Sequence, residues 1–367
     1  MLTLGVEEEY LLVDPRDGAP LPRAAEVLGT AALAPALRPA EAQHELLQVQ
    51  VESATPVCEE LAGVGRHLAR VRAALNAAAA QHGCRVVPVG SAPFGPPGGV
   101  PVTDDARYRR ARHQAPALVD DLMLNGMHVH VGVPDEEERV GALVRLRPWL
   151  PVLIALSANS PYWRGRDTRF ASWRTVQFDQ WAVSGPPPAF RDGADYRRRV
   201  AALRTAEAVA DEGQLYWHAR LSERYPTVEV RAMDVQLTVA DAELFAGLAR
   251  GLVATAVLRE RAGHPRPDPP EELLRAATWH AARTGTHGRL VSPVDGVARP
   301  AGAVVEELRA YVAPGLEACG DAGRVAGLWW GFERRGSGAD RQRRWLRDHG
   351  RPGLAEHLVG STVTPAP

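Results

Sequence analysis

Nine residues near the start of the chain, Gly5-Val6-Glu7-Glu8-Glu9-Tyr10-Leu11-Leu12-Val13, set three consecutive carboxylates inside an apolar, β-prone run. A strand turns alternate side chains to opposite faces, so Glu7 and Glu9 share one face and Glu8 takes the other. Two carboxylates about 7 Å apart on one face repel unless a cation or an arginine lies between them. The pattern points to metal binding by Glu7 and Glu9. The plainer alternative is two salt bridges across an edge strand. For Glu8 the simpler reading is a structural ion-pair partner.

Three more segments repeat the theme. Glu45–Ser53 alternates, with Leu47, Val49 and Val51 on one face and Gln48, Gln50 and Glu52 on the other. Met127–Val133 brings His128 and His130 to one side, and Val228-Glu229-Val230-Arg231 does the same for Glu229 and Arg231. Separate acidic strand faces are poor core material, because a buried unpaired carboxylate either costs free energy or gives up its charge. Hard oxygen ligands of this kind suit Mg²⁺ shared with nucleotide phosphates. Arginines would hold a phosphate or a substrate carboxylate by paired hydrogen bonds. The stretch from Asn159 to Ala182 supplies Arg164, Arg166, Arg169 and Arg174 among tryptophans. It reads as a site wall, or alternatively as an interface or stacked core. Walker, dinucleotide, nucleophile-elbow and His-Glu-x-x-His patterns are lacking, which argues against a P-loop NTPase, a Rossmann enzyme, a serine hydrolase and a zinc peptidase.

These groups need strands over 2–13, 45–53, 85–90, 127–133, 217–221 and 227–232. Helical spacing predicts helices over 58–82, 136–147, 151–157, 196–212, 240–261, 273–283 and 304–313. A short helix is expected within 19–37, another over 107–118 that Pro116 ends or kinks, and a charged helix or tail from Ser337. The expectation is one α+β catalytic domain over 1–360 with appended C-terminal helices and a disordered tail over 361–367.

With 43 basic and 44 acidic residues and a net charge of −1, nothing steers the chain toward nucleic acid or an anionic membrane. Cys58, Cys84 and Cys319 are widely spaced and odd in number, which fits a reducing cytoplasm better than a disulfide framework. The first residues enter a strand pattern at once, so no signal peptide is expected. The apolar run near residue 150 is interrupted by Pro151 and is too short to span a bilayer.

Four ordered motifs carry a family resemblance: Gly5–Glu9, Gly126–Gly132, Leu156–Pro161 and Thr227–Asp234. Together with Phe170-Ala171-Ser172 and Ala281-Ala282-Arg283, they resemble the carboxylate-amine ligase family, the YbdK-like second type of glutamate–cysteine ligase. The resemblance implies a glutamine synthetase-like fold, in which a curved, mostly antiparallel sheet forms the site and helices cover its outer face. It implies ATP with Mg²⁺ or Mn²⁺, and ligation through an acyl phosphate to an amide or γ-glutamyl bond. It further implies Glu7, Glu9, Glu52 and Glu229 as metal ligands, with Glu229 on the nucleotide side, and His128 or His130 as a metal or phosphate contact. Arg231 becomes a phosphate clamp. On a ligase reading, one of Arg164, Arg166, Arg169 and Arg174 is expected to hold a substrate carboxylate, and a carboxylate such as Glu8 or Glu52 to accept the amine's proton. Small-molecule carboxylate and amine substrates, amino acids first, and a homodimer complete the implication. Thr278 before Trp279 and Thr286-His287-Gly288 depart from the family pattern, so the substrates are expected to differ from glutamate and cysteine. The rival readings are a carboxylate or guanidino kinase, a non-catalytic nucleotide-binding regulator and, more remotely, a metallohydrolase.

Overall fold

The computed structural model describes residues 2–38, 40–96 and 99–362. Its centre is a seven-stranded sheet: β1 (Leu4–Val13), β2 (Ala42–His44), β3 (Gln50–Ala54), β4 (Arg85–Val87), β5 (Gly126–Gly132), β6 (Ala219–Leu221) and β7 (Thr227–Asp234). The order is β6-β7-β5-β1-β3-β2, with β4 also paired to β1. Every pairing in it is antiparallel. The curved sheet expected from the sequence is corrected: this sheet is open and not curved. Its outermost strands, β2 and β6, have three residues each. Curling a sheet toward closure needs long, tilted strands that keep pairing around the turn.

The helices are α1 (Ala24–Ala31), α2 (Leu61–Gln81), α3 (Ala106–Gln114), α4 (Pro116–Asp120), α5 (Glu136–Leu146), α6 (Leu150–Ser157) and α7 (Trp173–Phe178). They continue with α8 (Gly193–Thr205), α9 (Val239–Arg261), α10 (Glu271–Thr284), α11 (Ala301–Cys319), α12 (Ala322–Arg335) and α13 (Gly338–Thr362). α12 is not among the sequence expectations, although Val325, Leu328, Trp329 and Phe332 fall at i, i+3, i+4 and i+7 and are buried. Ser361 and Thr362, expected in a disordered tail, close α13 and are buried. The remainder of that tail, 363–367, lies outside the described residues.

Alternation sorts the strands into two faces. Leu4, Val6, Met127, Val129, Val131, Val228 and Val230 join one apolar cluster with residues of α2, α5, α6, α9, α11 and α12. Tyr10, Leu12 and Val51 extend that side against α1 and α2. At about 25 cal/mol per Å² of apolar surface, this burial is the main force holding helices to sheet. The opposite face is divided. At its β4 end Leu11, Val13, Val49, Val87 and Val89 lie under Phe94, Met123 and the α13 residues Leu354 and Leu358. At the other end the strands carry polar residues.

The strand expected over 45–53 begins only at Gln50, after a turn at Leu46–Val49. That turn breaks the alternation, so Leu47 and Val49 join the covered part of the polar face while Val51 faces the helices. Among the described residues no single helix is long and apolar enough to cross a membrane. α5 and α6 pass such a test only together, across a 64° bend, and both are core helices here.

Candidate active site

Register assembles the site. On β1, Glu7 pairs with His128 of β5 and Glu9 with Glu52 of β3, while Glu229 of β7 pairs with His130. Directly paired residues share a face. Six of the side chains singled out in the sequence, Glu7, Glu9, Glu52, His128, His130 and Glu229, therefore converge with Arg231.

Glu7 is the hub. Its Oε2 lies 3.2 Å from His128 Nδ1 and its Oε1 3.4 Å from His130 Nε2. His130 Nε2 is also 4.0 Å from Glu229 Oε1, and its Nδ1 is 2.9 Å from Thr227 Oγ1. Ligand atoms of Glu7, His128 and Glu229 all fall within 4.8 Å of one another. Among the described residues His128 Nε2 and Arg231 Nε are buried without a hydrogen-bond partner. Buried polar atoms rarely stay unpaired, and such orphans mark a place for an ion or ligand.

The charges are unevenly matched. Burial alone would raise the Glu7 pKa, but contacts with His128 and His130 outweigh it and hold the carboxylate far below its ordinary value. Burial opposes ionisation of Glu229 too, and Arg231 and Arg220 overcome it. Arg220 Nε donates to Glu229 Oε2 at 2.7 Å, and Arg231 donates to its other oxygen. Burial and Arg231 push His128 down, whereas in His130 burial is overcome by Glu7 and Glu229, which push it up.

On the β3 side no arginine forms an ion pair with Glu9, Glu45 or Glu52 among the described residues, and Arg107 only partly offsets the charge on Glu45. Burial, then repulsion from Glu45, Glu7 and Glu9, raises Glu52 well above the usual carboxylate range. Burial and Glu9 lift Glu45 to about 7. Like charges crowded together cannot all ionise, so this corner lacks positive charge. The donor set is hard oxygen plus imidazole, which fits a divalent cation.

Sequence reasoning missed Glu45 and Arg220. Glu45 precedes the turn that spoils the β3 alternation, so no periodicity flagged it. Arg220 sits directly across from Glu229 in the β6–β7 hairpin, a cross-strand pairing the sequence alone could have suggested.

The four candidate arginines separate. Arg164, Arg166 and Arg169 are exposed. Arg164 pairs with Asp121 at the surface. Arg174 is buried, donates to the Arg231 carbonyl at 3.3 Å, and approaches Gly126 so closely that a Cβ there would collide with its guanidinium. The Gly126 N–H in turn donates to Glu9 Oε2 at 2.5 Å. A buried Asp234 fixes the base of this wall. It accepts from Asn159 N–H at 2.8 Å, from Ser160 Oγ at 2.7 Å and from Ser172 Oγ at 2.9 Å. Ser160 Oγ accepts from the Arg174 N–H at 3.0 Å, and Ser172 caps α7.

Glu8 is corrected as a proton acceptor. It points to the helix face, is fully buried, and is gripped by Arg72 at 2.5 and 2.9 Å and by the Tyr10 hydroxyl at 2.6 Å. The period of two puts it beyond reach of anything bound at Glu7.

A family model described as glutamate-cysteine ligase family 2 (GCS2) matches residues 3–359. The chain is 42% identical over 367 residues to a protein of Saccharopolyspora erythraea named "Putative glutamate--cysteine ligase 2-1", covering 99% of this chain and 95% of that one. A Salinispora arenicola protein of similar name is 44% identical over 346 residues, covering 94% and 90%. Among solved structures it is similar to a bifunctional glutathione synthetase from Pasteurella multocida, with TM-score 0.68, 16% identity and 98% of this chain covered. It spans about half, 52%, of that larger chain. It is also similar to a glutamate–cysteine ligase from Francisella tularensis in complex with AMP, with TM-score 0.64, 11% identity and coverage of 99% and 89%. At these identities the structural likeness speaks for the fold alone.

Proposed function

The chain belongs to glutamate–cysteine ligase family 2, and from that premise we propose that the polar sheet face is where it joins a carboxylate to an amine. Membership makes it an ATP-dependent carboxylate–amine ligase that forms an amide bond. The observation that carries the assignment of the site is the set Glu7, His128 and Glu229, three ligand groups within 4.8 Å on one strand face.

In this reading Glu7, His128 and Glu229 would hold a divalent cation, Mg²⁺ or Mn²⁺. That cation would supply positive charge that offsets ATP and the transferring phosphoryl group. His130, oriented at Nδ1 by Thr227, offers Nε2 to a cation or a phosphate oxygen. Arg231 clamps the phosphoryl group, and its unpartnered buried Nε is the donor left for that task. Arg174 holds the donor substrate. The substrate carboxylate oxygen attacks the γ-phosphorus and ADP leaves. The amine nitrogen then attacks the acyl carbon and phosphate leaves. Before that attack one ammonium proton passes to a carboxylate oxygen of the Glu45–Glu52 pair, and the second nitrogen proton, shed as the amide forms, leaves with the phosphate. Fixed charges already aimed at the transferring group need little reorganisation, which is the source of the rate.

We further propose one catalytic domain, since the sheet draws strands from residues 4 to 234 and later helices pack on both its faces. A cytoplasmic homodimer is the proposed setting. Three buried free cysteines suit a reducing compartment, and the exposed Trp279 and Trp330 suit a contact surface. Light scattering of the purified chain tests the dimer.

ADP release over panels of carboxylates and amines tests the activity. The expected result is release that requires both substrates and a divalent cation. Release that needs a carboxylate but no amine would turn the reading to a kinase.

A further inference from the structure

Resting on the ligase reading, we propose that the acceptor is an amine without a carboxylate, carrying an aromatic or alkyl body, and that Phe178, Trp181, Tyr216 and Tyr108 form its subsite. The wall grows out of Arg174. One turn along α7, Phe178 lies under the Arg174 guanidinium, 5.2 Å from ring centroid to Cζ. Tyr216 meets Phe178 at 5.1 Å and 69°, and Trp181 at 5.2 Å and 62°. Edge-to-face contacts of this kind hold rings rigidly. All three rings are only half-buried, so the core does not seal them.

One end of the wall abuts the acids. The Tyr108 hydroxyl donates to the carbonyl of His44, next to Glu45, at 3.4 Å, and the neighbouring Arg107 pairs with Asp211, in the segment that leads into Tyr216, at 3.3 Å. Tyr108 and Trp181 also pack against the same apolar cluster. An ammonium is drawn both to aromatic faces and to carboxylates, so its nitrogen is steered to the acidic end and its body to the rings.

The cations decide against a carboxylate on the acceptor. Arg220 and Arg231 are both engaged by Glu229, and Arg107 faces Asp211 at 3.3 Å. Arg174 forms no ion pair among the described residues, and the donor's carboxylate claims it. A second carboxylate would have to sit beside Glu45 and Glu52, where Arg107, Arg220 and Arg231 already face carboxylates.

The test is calorimetric titration of the full chain with Mg-ADP present, using phenethylamine, L-phenylalanine and L-cysteine. Phenethylamine is expected to bind at least roughly ten-fold tighter than either amino acid. Trp181→Ala and Tyr216→Ala are expected to weaken it roughly ten-fold, Trp181→Phe to retain it, and all three to keep ADP affinity unchanged. Equal or tighter binding of cysteine or phenylalanine, or unchanged phenethylamine affinity in both alanine variants, overturns the subsite. Amine-dependent ADP release that prefers cysteine also overturns it, and leaves the ligase reading standing. Phenethylamine bound as expected, with no amine-dependent ADP release from any carboxylate, upholds the subsite and overturns the ligase reading.

Discussion

Three adjacent residues of one strand, identical in chemistry, meet opposite circumstances. Toward the helices, Glu8 is fully buried and its charge is matched: Arg72 grips both oxygens and also donates to the carbonyls of Gln236 and Leu237. Toward the other face, Glu7 and Glu9 join Glu45, Glu52 and Glu229, and the acids outnumber the cations that touch them. A matched buried charge fixes a fold, whereas an unmatched cluster stores a need for positive charge that a ligand can meet. The molecule uses the first arrangement repeatedly on the helix side, at Arg250–Asp321, Glu243–Arg324 and Asp241 with Arg335 and Arg341.

The sharpest way to break this contrast is to neutralise one acid on each face. Glu7→Gln is expected to lower ligase turnover by on the order of 10³-fold, with only a modest cost in stability as His128 and His130 lose their carboxylate partner. Glu229→Gln is expected to cut turnover comparably but to cost stability, since Arg220 and Arg231 lose their partner. Glu8→Gln should do the reverse of Glu7→Gln. Leaving Arg72 buried without its partner is expected to cost about 3–5 kcal/mol in denaturant unfolding, with the folded fraction still active. Replacing Glu8 and Arg72 together by apolar residues should recover much of that loss. Wild-type turnover in both Glu7→Gln and Glu229→Gln would remove the proposed cation site.

The two sides should also respond oppositely to pH. Burial disfavours ionisation of Asp241, but Arg341 and Arg335 overcome this and hold it below its ordinary value. Its folded-state pKa is depressed, so it contributes stability above the unfolded value that is lost as pH falls through the folded one. Asp241→Asn should flatten the acid limb of the stability curve. Glu45 is raised to about 7, by burial and by Glu9. Between its ordinary value and that figure the folded state binds more protons than the unfolded state, so cation-free stability should fall as pH rises. Glu45→Gln should reduce that slope. The smallest effects are expected at Arg164, Arg166 and Arg169, where alanine should change stability by no more than about 0.5 kcal/mol and leave turnover intact. Arg174→Ala should raise the KM for the carboxylate by roughly ten-fold or more.

Much of the site was legible because the side-chain period of a strand is two. Glu7, Glu9, His128, His130, Glu229 and Arg231 could be sorted to faces before any pairing was known. The same rule placed Glu8 opposite, although its candidacy as a proton acceptor ignored that consequence. Where the chain turns, the rule fails. The turn at Leu46–Val49 hid Glu45 and delayed β3 to Gln50. The arginines of the 164–174 segment looked alike because loops have no period, and only the helix start at Ser172 turns Arg174 inward.

The sequence by itself determined which residues share a face within β1, β5 and β7, most of the amphipathic helices, and the family. Those follow from local spacing and residue type. The tertiary structure alone decided which strands are neighbours, that Glu9 faces Glu52 while Glu7 faces His128, that Arg72 silences Glu8, and that the sheet stays open. Those outcomes depend on register and packing between segments tens to hundreds of residues apart, and no local pattern encodes such distances.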